Sequence, residues 1–314
     1  MCRAAYKAVI ALWMLEDHSA QAQPYADPLR HRRIVIEDGS LCPPAGWELV
    51  FAEDFNGDAL DEAKWLTHYP YCVNWDDCFE SRAHGWPEML TINADSNVMM
   101  TGDGLLRILA RKGDMAFWHG AFSVYTGGVL HSRMKFPRGR FECRLKVPRS
   151  EGKHLWPAFW LFGGGPECVE IDILEIMAKP STDYHYALHR YNGPCDGKVA
   201  SEDGNRTLRD LSDDFHVFRL DWSIWFVDWY IDDVLVARSS RISDLLNRPV
   251  TACYAPKGVY IQNQAFPAQE AEVSIILSLG VRGRLFNSVA GQDLDIPDLP
   301  ATMEVDYVRV YRGL

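Results

Sequence analysis

The chain has 314 residues, enough for one large domain or two small ones, and its hydrophobic fraction of 47% can supply a substantial core. The net charge of −11 argues against nucleic-acid backbones and anionic membranes as partners. The 11 tryptophans favour carbohydrate binding, because their rings can stack on sugar faces, although an aromatic-rich core would account for some of them.

The N-terminal residues have the composition of a secretory signal. A positively charged start precedes the apolar stretch Ala8–Leu15, and Ala20–Ala22 offers a cleavage site. We therefore expect residues 1–22 to be a signal peptide and the protein to be secreted or periplasmic, with a disordered cytosolic leader as the alternative. Residues 23–40 are predicted to be a polar leader and residues 41–314 a single folded domain. No stretch is long enough to insert into a bilayer.

The cysteines do not have the spacing of a zinc site. Cys72 and Cys78 are close in sequence and are the best candidates for a disulfide. Cys143 alternates with charged residues on an apolar strand face, so we expect it to be a buried thiol. Removal of Cys2 with the signal would leave an odd number of cysteines, and therefore at least one unpaired thiol.

Helical periodicity is scarce along the chain. Short helices are predicted only at Asp58–Trp65 and Ser243–Asn247. The segment Thr67–Met89 is rich in Tyr, Trp and Cys without periodicity, which is typical of a long loop on a binding face.

Strand signals, in contrast, recur to the end of the chain. Apolar and charged residues alternate over Phe141–Val147 and again from Met303 onward, giving one core face and one solvated face. The segment Trp222–Ala237 reads as a hairpin that turns at Asp232–Asp233. Many short strands separated by turns predict an all-β sandwich or jelly roll.

One apolar strand carries three carboxylates. Glu170 and Asp172 share a face because side chains alternate, whereas Glu175 differs in parity and joins them only through one extra residue, a β-bulge at Ile173 or Leu174. Such a row is costly unless it does chemistry. A glycosidase needs two carboxyls that flank a sugar bond and a third group that tunes them, while a solvated acidic strand is the alternative.

Several motifs together resemble glycoside hydrolase family 16, over roughly residues 46–312. They are Phe51–Gly57, Gly139–Glu142, Leu155–Leu161, Glu170–Glu175 and Val305–Tyr311. The resemblance implies a β-jelly-roll sandwich of two curved antiparallel sheets with a concave substrate cleft. It also implies hydrolysis of internal β-linkages with retention of configuration.

The resemblance assigns a role to each acid. Glu170 corresponds to the nucleophile, Glu175 to the general acid/base and Asp172 to the assisting carboxylate between them. The bulged spacing is that of laminarinase-like and galactanase-like members. The lichenases carry a motif that is one residue shorter.

Aromatic and histidine residues near these acids are candidates for substrate binding. Trp156 and Trp160 share a strand face and are predicted to be sugar platforms, with core packing as the alternative. His185 and His189 match a His-x-x-x-His pattern of the family. His189 is the candidate for a hydrogen bond near the acid/base or the sugar, and a satisfied structural histidine is the alternative.

Outer subsites and a metal complete the predicted site. Trp86, Trp118 and Tyr125 are candidates for outer sugar subsites. No cofactor is expected for catalysis. Asp306 resembles an acid associated with calcium on the convex face of the family, and Glu53 is the candidate that would join it in a structural calcium site.

The substrate is less defined than the chemistry. We expect a monomeric endo-β-glycanase that cleaves β-1,3 or mixed β-1,3/1,4 glucan, a polysaccharide or oligosaccharide, by double displacement. The alternatives are a β-galactan hydrolase of the agarase, carrageenase or porphyranase type, a transglycosylase, or a non-catalytic glycan-binding jelly roll. Arg190, Arg282 and Arg284 would favour a sulfated galactan if they face the groove. His84–Glu88 and Ser278 depart from the laminarinase-like pattern.

Overall fold

A computed structural model describes most of the chain beyond residue 32. It covers residues 33–37, 41–69, 91–118, 121–152, 154–164, 168–177, 179–192, 195–282, 296 and 298–314. Residues Arg33–Leu314 form one compact unit. Within the described ranges no helix is long and apolar enough to cross a membrane. The predicted signal peptide, the Cys72–Cys78 pair and Trp86 lie outside them.

The described residues form nineteen strands and one short 3-10 helix, Asp95–Asn97. The strands are β1 (Arg33–Ile36), β2 (Trp47–Glu53), β3 (Trp65–Leu66), β4 (Thr91–Asn93), β5 (Val98–Met100), β6 (Leu106–Trp118), β7 (Ala121–Ser132), β8 (Arg140–Lys146), β9 (Leu155–Gly164), β10 (Cys168–Glu175), β11 (Asp183–Asn192), β12 (Asp196–Thr207), β13 (His216–Trp222), β14 (Phe226–Ile231), β15 (Val234–Ser240), β16 (Ile242–Ser243), β17 (Gly258–Gln262), β18 (Val273–Val281) and β19 (Ala301–Gly313). The predicted all-β class is confirmed.

A single hydrogen-bonded path connects most of these strands. Its order is β12-β11-β10-β9-β18-β7-β6-β19-β8-β13-β14-β15, with β2 on β19, β3 and β4 on β7, and β5 on β6. The β4–β7 pair is parallel. The path folds back on itself. Tyr184 of β11 accordingly stacks on Phe218 of β13, with ring centroids 6.5 Å apart. The first and last strands of the path therefore form two facing layers.

The hydrophobic core lies between the two layers. Its fully buried members include Ile171, Ile173 and Val273 from one layer and Phe141, Leu220 and Val308 from the other. Each buried side chain of this size contributes about 1.5–3 kcal/mol relative to exposure. The opposite face of β9–β12 is therefore available to line a cleft.

Local sequence signals set several of these elements. In β8, buried and partly exposed residues alternate as predicted for residues 141–147. The predicted hairpin is present as β14 and β15, and Asp232 and Asp233 both have positive φ, 49° and 64°, as a two-residue hairpin turn of matching twist requires. The two predicted helices are wrong, since turns occupy both places; neither segment is long enough to nucleate a helix without a packing face.

A small separate sheet consists of β1, β17 and β16. Residues 33–36, which we expected to belong to the polar leader, form β1 and pair with β17. Ile36 is buried there with Leu41, Phe226 and Tyr260 in a cluster distinct from the main core. The packed part of the chain therefore includes the end of the predicted leader.

One disulfide, Cys168–Cys195, joins the start of β10 to the turn between β11 and β12. No local pattern in the sequence indicated this pair, whose members are 27 residues apart. Cys143 is a buried free thiol, as predicted.

Candidate active site

Strand β10 carries the three acids on the face that points away from the core. Ile171 and Leu174, which separate them, are fully buried between the layers. Glu170, Asp172 and Glu175 thus share the concave face with residues of β9 and β11.

The predicted bulge is confirmed. Asp172 pairs with Ala187 and Glu175 with His185, so two residues of β10 face one residue of β11. On the other side the register shifts between Asp172 and Leu174, which identifies Ile173 as the extra residue. The bulge restores Glu175 to the face of the other two acids.

Two aromatic residues satisfy backbone groups at the bulge. The Tyr184 hydroxyl donates to the Ile173 carbonyl oxygen at 2.6 Å. The Trp229 indole N–H donates to the Asp172 carbonyl oxygen at 2.9 Å, from the facing layer. A bulge interrupts the ladder, so these donors replace hydrogen bonds that a regular strand would make.

Glu175 is held by a tryptophan and a histidine. The Trp156 indole Nε1–H donates to Oε1 at 2.9 Å, and His185 Nδ1 lies 3.1 Å from Oε2. His185 Nε2 in turn lies 3.6 Å from Asp203 Oδ2 on β12. Trp156, predicted as a sugar platform, therefore also orients this carboxyl.

Glu170 has a different set of neighbours. The Tyr191 hydroxyl donates to Oε2 at 2.9 Å. His189 Nε2 lies 3.9 Å from Glu170 Oε1 and 3.4 Å from Asp172 Oδ2. His189 thus contacts the Glu170 side of the row, and His185 contacts Glu175. Tyr191 was missed from the sequence, although its parity places it on the same face as both histidines.

Burial and mutual repulsion control the protonation of the acids. Burial, and then the charges of Glu175 and Glu170, raise the pKa of Asp172 well above its ordinary range. Burial and the Glu175 charge raise the pKa of Glu170 to about 7, against the lowering effect of the Tyr191 hydrogen bond. Asp172 therefore favours its protonated form more than an exposed aspartate does, and Glu170 ionises near neutrality.

His189 is neutral at the same pH. Burial, followed by the positive charges of Lys198 and His185, lowers its pKa to about 4. The atoms of Glu170, Asp172 and His189 that could ligate a metal lie within 4.8 Å of one another. Two of these residues are the acids Glu170 and Asp172 of the row, so the cluster belongs to the candidate active site.

Two of the predicted aromatic contacts are corrected by burial. Tyr125 is 1% exposed and belongs to the main core, so its assignment to an outer subsite is wrong; the pairing of β7 with β6 and β4 covers it. Trp160 is 6% exposed, packs against Tyr69 and Phe162, and donates its N–H to Ser278 Oγ at 3.4 Å. It supports the cleft floor rather than offering an open sugar platform. Trp118 lies in β6.

The carboxylates predicted for calcium have cationic partners instead. Asp306 Oδ2 lies 2.5 Å from Arg144 Nη1, and Glu53 Oε2 lies 2.9 Å from Lys64 Nζ. Glu53 also accepts from the Phe55 backbone N–H at 3.2 Å. Each charge is already balanced, so this donor set does not fit a shared calcium ion.

Two of the three arginines considered for sulfate recognition make contacts within the protein. Arg190 is buried, and its Nη2 donates to Gln264 Oε1 at 3.3 Å. The Arg282 guanidinium lies over the Trp156 ring, 5.1 Å from its centroid. Arg284 lies outside the described residues.

Comparison with known proteins places this geometry in context. The model of glycosyl hydrolases family 16 matches residues 87–273. The glucan endo-1,3-beta-glucosidase of Cryptopygus antarcticus is 30% identical over 281 residues, which are 84% of this chain and 91% of that protein. Glucan endo-1,3-beta-glucosidase A1 of Niallia circulans is 27% identical over 293 residues, 88% of this chain. The match spans 40% of that longer protein.

A solved structure with the same fold is the laminarinase catalytic domain from Thermotoga maritima. It superposes with a TM-score of 0.61 at 24% identity, covering 85% of this chain and 99% of that domain. The predicted β-jelly-roll is thereby confirmed.

Proposed function

The chain belongs to glycosyl hydrolase family 16, and we propose that it is an endo-β-1,3-glucanase that cleaves with retention of anomeric configuration. Its membership makes it a glycoside hydrolase. The observation that carries the finer proposal is the bulged strand β10, on which three acids with unlike surroundings share one face.

The first step of the proposed mechanism assigns attack to Glu170. The ionised carboxylate attacks the anomeric carbon, and the Tyr191 hydroxyl stabilises its charge before attack. Burial and the neighbouring acids favour the protonated form of Asp172, which adds no second negative charge beside the nucleophile. Glu175 donates a proton to the leaving oxygen, oriented by Trp156 and His185.

The second step uses Glu175 as a base. It takes a proton from water, which attacks the anomeric carbon of the glycosyl-enzyme and releases Glu170. His185 contacts Glu175 on one side and approaches Asp203 on the other, so it supports both protonation states of Glu175. No cofactor takes part in either step.

A neutral β-1,3-glucan suits the site better than a sulfated galactan. Arg190 is buried and donates to Gln264, so it is not available to bind a sulfate in the groove. The net charge of −11 also disfavours a polyanionic chain. Relatives named as glucan endo-1,3-beta-glucosidases at 30% and 27% identity support the same linkage.

Product analysis tests the proposal. Purified protein is incubated with laminarin, lichenan, agarose and κ-carrageenan, and new reducing ends are measured over time. We expect activity on laminarin with oligosaccharide products from early times, since an endo-acting enzyme cuts internal bonds. Proton NMR of the first product should show the β-anomer before mutarotation.

Two results would overturn parts of this proposal separately. Faster release of reducing ends from carrageenan or agarose than from laminarin would contradict the proposed substrate but not the proposed mechanism. An initial α-anomer would contradict retention. Glu175→Gln, assayed beside wild type, shows whether any activity detected belongs to this site.

A further inference from the structure

Two exposed cysteines that are 211 residues apart in the sequence lie next to each other in the structure. Cys42 precedes β2, and Cys253 lies in the segment between β16 and β17. The Leu41 backbone N–H donates to the Cys253 carbonyl oxygen at 2.6 Å. The Cys42 thiol donates to the same oxygen, with the sulfur 3.6 Å away. The two chain segments are thus adjacent at these residues.

Buried neighbours fix both cysteines in place. Leu41, next to Cys42, and Ala255, two residues after Cys253, are fully buried. Both belong to the cluster that also contains Ile36 under the small sheet. The thiols themselves stay exposed, so a reagent can reach them without unfolding of the segment.

The Cys253 side chain also affects the pKa of the Cys42 thiol. A hydrogen bond with the Cys253 side chain is the main cause that raises the pKa of the Cys42 thiol, and the charge of the Cys253 thiolate adds to it. This effect agrees with the adjacency of the two segments that the hydrogen bonds show.

We propose that Cys42 and Cys253 form a disulfide in the oxidised protein, in addition to Cys168–Cys195. The chain already carries Cys168–Cys195, and disulfides persist in oxidising compartments. Cys143 is buried in the core and is not available to compete for either thiol.

A low-molecular-weight disulfide such as oxidised glutathione completes the reaction. The Cys42 thiolate attacks one glutathione sulfur, which forms a mixed disulfide and releases one glutathione thiolate. The Cys253 thiolate then attacks the Cys42 sulfur, forms the Cys42–Cys253 bond and releases the second glutathione. The two protein thiols are oxidised, the glutathione disulfide is reduced, and the two protons pass to the released thiolates.

Peptide mapping gives a direct test. The full chain is reduced mildly, incubated with oxidised glutathione, alkylated, and digested with trypsin without further reduction. Trypsin releases Cys42 in the peptide Ile34–Lys64 and Cys253 in Ile242–Lys257, each with one cysteine. We expect these two peptides to be joined, and the joined mass to disappear in Cys42→Ser and in Cys253→Ser.

Detection of the Cys168–Cys195 link in the same digest, together with its absence from a portion alkylated before glutathione was added, shows that oxidation took place. The proposal is overturned if that link is present while both test peptides remain alkylated. It is also overturned if Cys42 or Cys253 is joined to another cysteine or to a second copy of the chain.

Thermal unfolding provides an independent measurement. The new bond closes a loop of 211 residues, so the oxidised protein should have a Tm about 5 °C above that of Cys42→Ser/Cys253→Ser in the same buffer. The difference should vanish when the wild type is reduced at these two sites. If the protein with the Cys42–Cys253 bond and the double serine variant had equal Tm values, the bond would not stabilise the native structure, which contradicts the proposal.

Discussion

Two aspartates in facing layers show what separates a structural acid from a candidate catalytic one. Asp172 on β10 and Asp228 on β14 are both 2% exposed. Arg238 holds both carboxylate oxygens of Asp228, at 2.6 and 2.7 Å. Among the described residues, no Lys or Arg forms an ion pair with Asp172, and the nearest basic group is the neutral imidazole of His189 at 3.4 Å.

The contrast extends across both layers. Three acids of the layer that contains β8, β13 and β19 are paired with arginines, in Arg140–Asp221, Arg144–Asp306 and Arg107–Glu304. Acids of β10 meet tryptophan, tyrosine and histidine instead. An acidic strand therefore indicates function only when its cross-strand neighbours do not neutralise it.

The largest expected effect is the loss of activity when Glu170, the proposed nucleophile, is replaced. Glu170→Gln should lower kcat/KM by about 10⁴-fold or more, because an amide cannot form the glycosyl-enzyme. The matched control is Glu304→Gln, since Glu304 pairs with Arg107 in the other layer. It should retain activity close to that of wild type. A comparable loss of kcat/KM in both variants would contradict the proposed functional difference between the layers.

Breaking a neutralised pair should affect stability instead. Arg238→Met leaves Asp228 buried and uncompensated, so the free energy of unfolding should fall by about 3–5 kcal/mol. Urea unfolding measures this loss. Asp228→Asn combined with Arg238→Met should recover part of the stability. An Arg238→Met protein as stable as wild type would show that this ion pair is not what holds β14 to β15.

The pH dependence of stability should reveal the unneutralised acid. The pKa of Glu170 is about 7 in the folded state against an ordinary value of 4.5, so the folded protein binds this proton more tightly than the unfolded chain. The contribution of Glu170 to stability is then lost as pH rises from about 4.5 through 7. Glu170→Gln should therefore gain on the order of 2 kcal/mol over wild type at pH 8, and little at pH 4.

Thermal melts of both proteins across this range give the comparison. A stability difference that stays constant between pH 4 and pH 8 would argue against a raised pKa at Glu170.

The smallest expected effect is a displaced pH profile. Tyr191 donates to Glu170 and lowers its pKa, so Tyr191→Phe should move the acid limb of kcat/KM upward by roughly 0.5–1 pH unit. The control is Tyr307→Phe, which removes a phenol bonded to Glu142 in the other layer. An acid limb that moves downward in Tyr191→Phe would exclude this hydrogen bond as a stabiliser of the ionised acid.

Local rules predicted the parts of the site that depend on parity. The bulge followed from the odd spacing between Glu170 and Glu175, and the hairpin followed from the residue types at Asp232–Asp233. The register between β10 and β11 did not follow, since it is set by the connection between them and by the packing of the layers. Tyr191 was therefore missed beside Glu170, and the disulfide of Cys168 with Cys195 was missed for the same reason.

Long-range packing also explains the errors. Tyr125 was predicted to line an outer sugar subsite, yet its position in β7 places it in the core. The hydrogen bond from Trp229 to the Asp172 carbonyl oxygen could not be predicted from the sequence, because the two residues are 57 positions apart and lie in different layers. Contacts of this kind have no local signature.

The bulge links the packing of the interior to the orientation of the three acids. Its carbonyl groups are anchored by Tyr184 and Trp229, which belong to the packing between the layers. Substitutions of Tyr184 or Trp229 should change the orientation of the acids without altering any side chain of the cleft. Attempts to retune this enzyme can therefore begin in its interior, and random variants with altered cleavage should be sought among core positions as well as in the cleft.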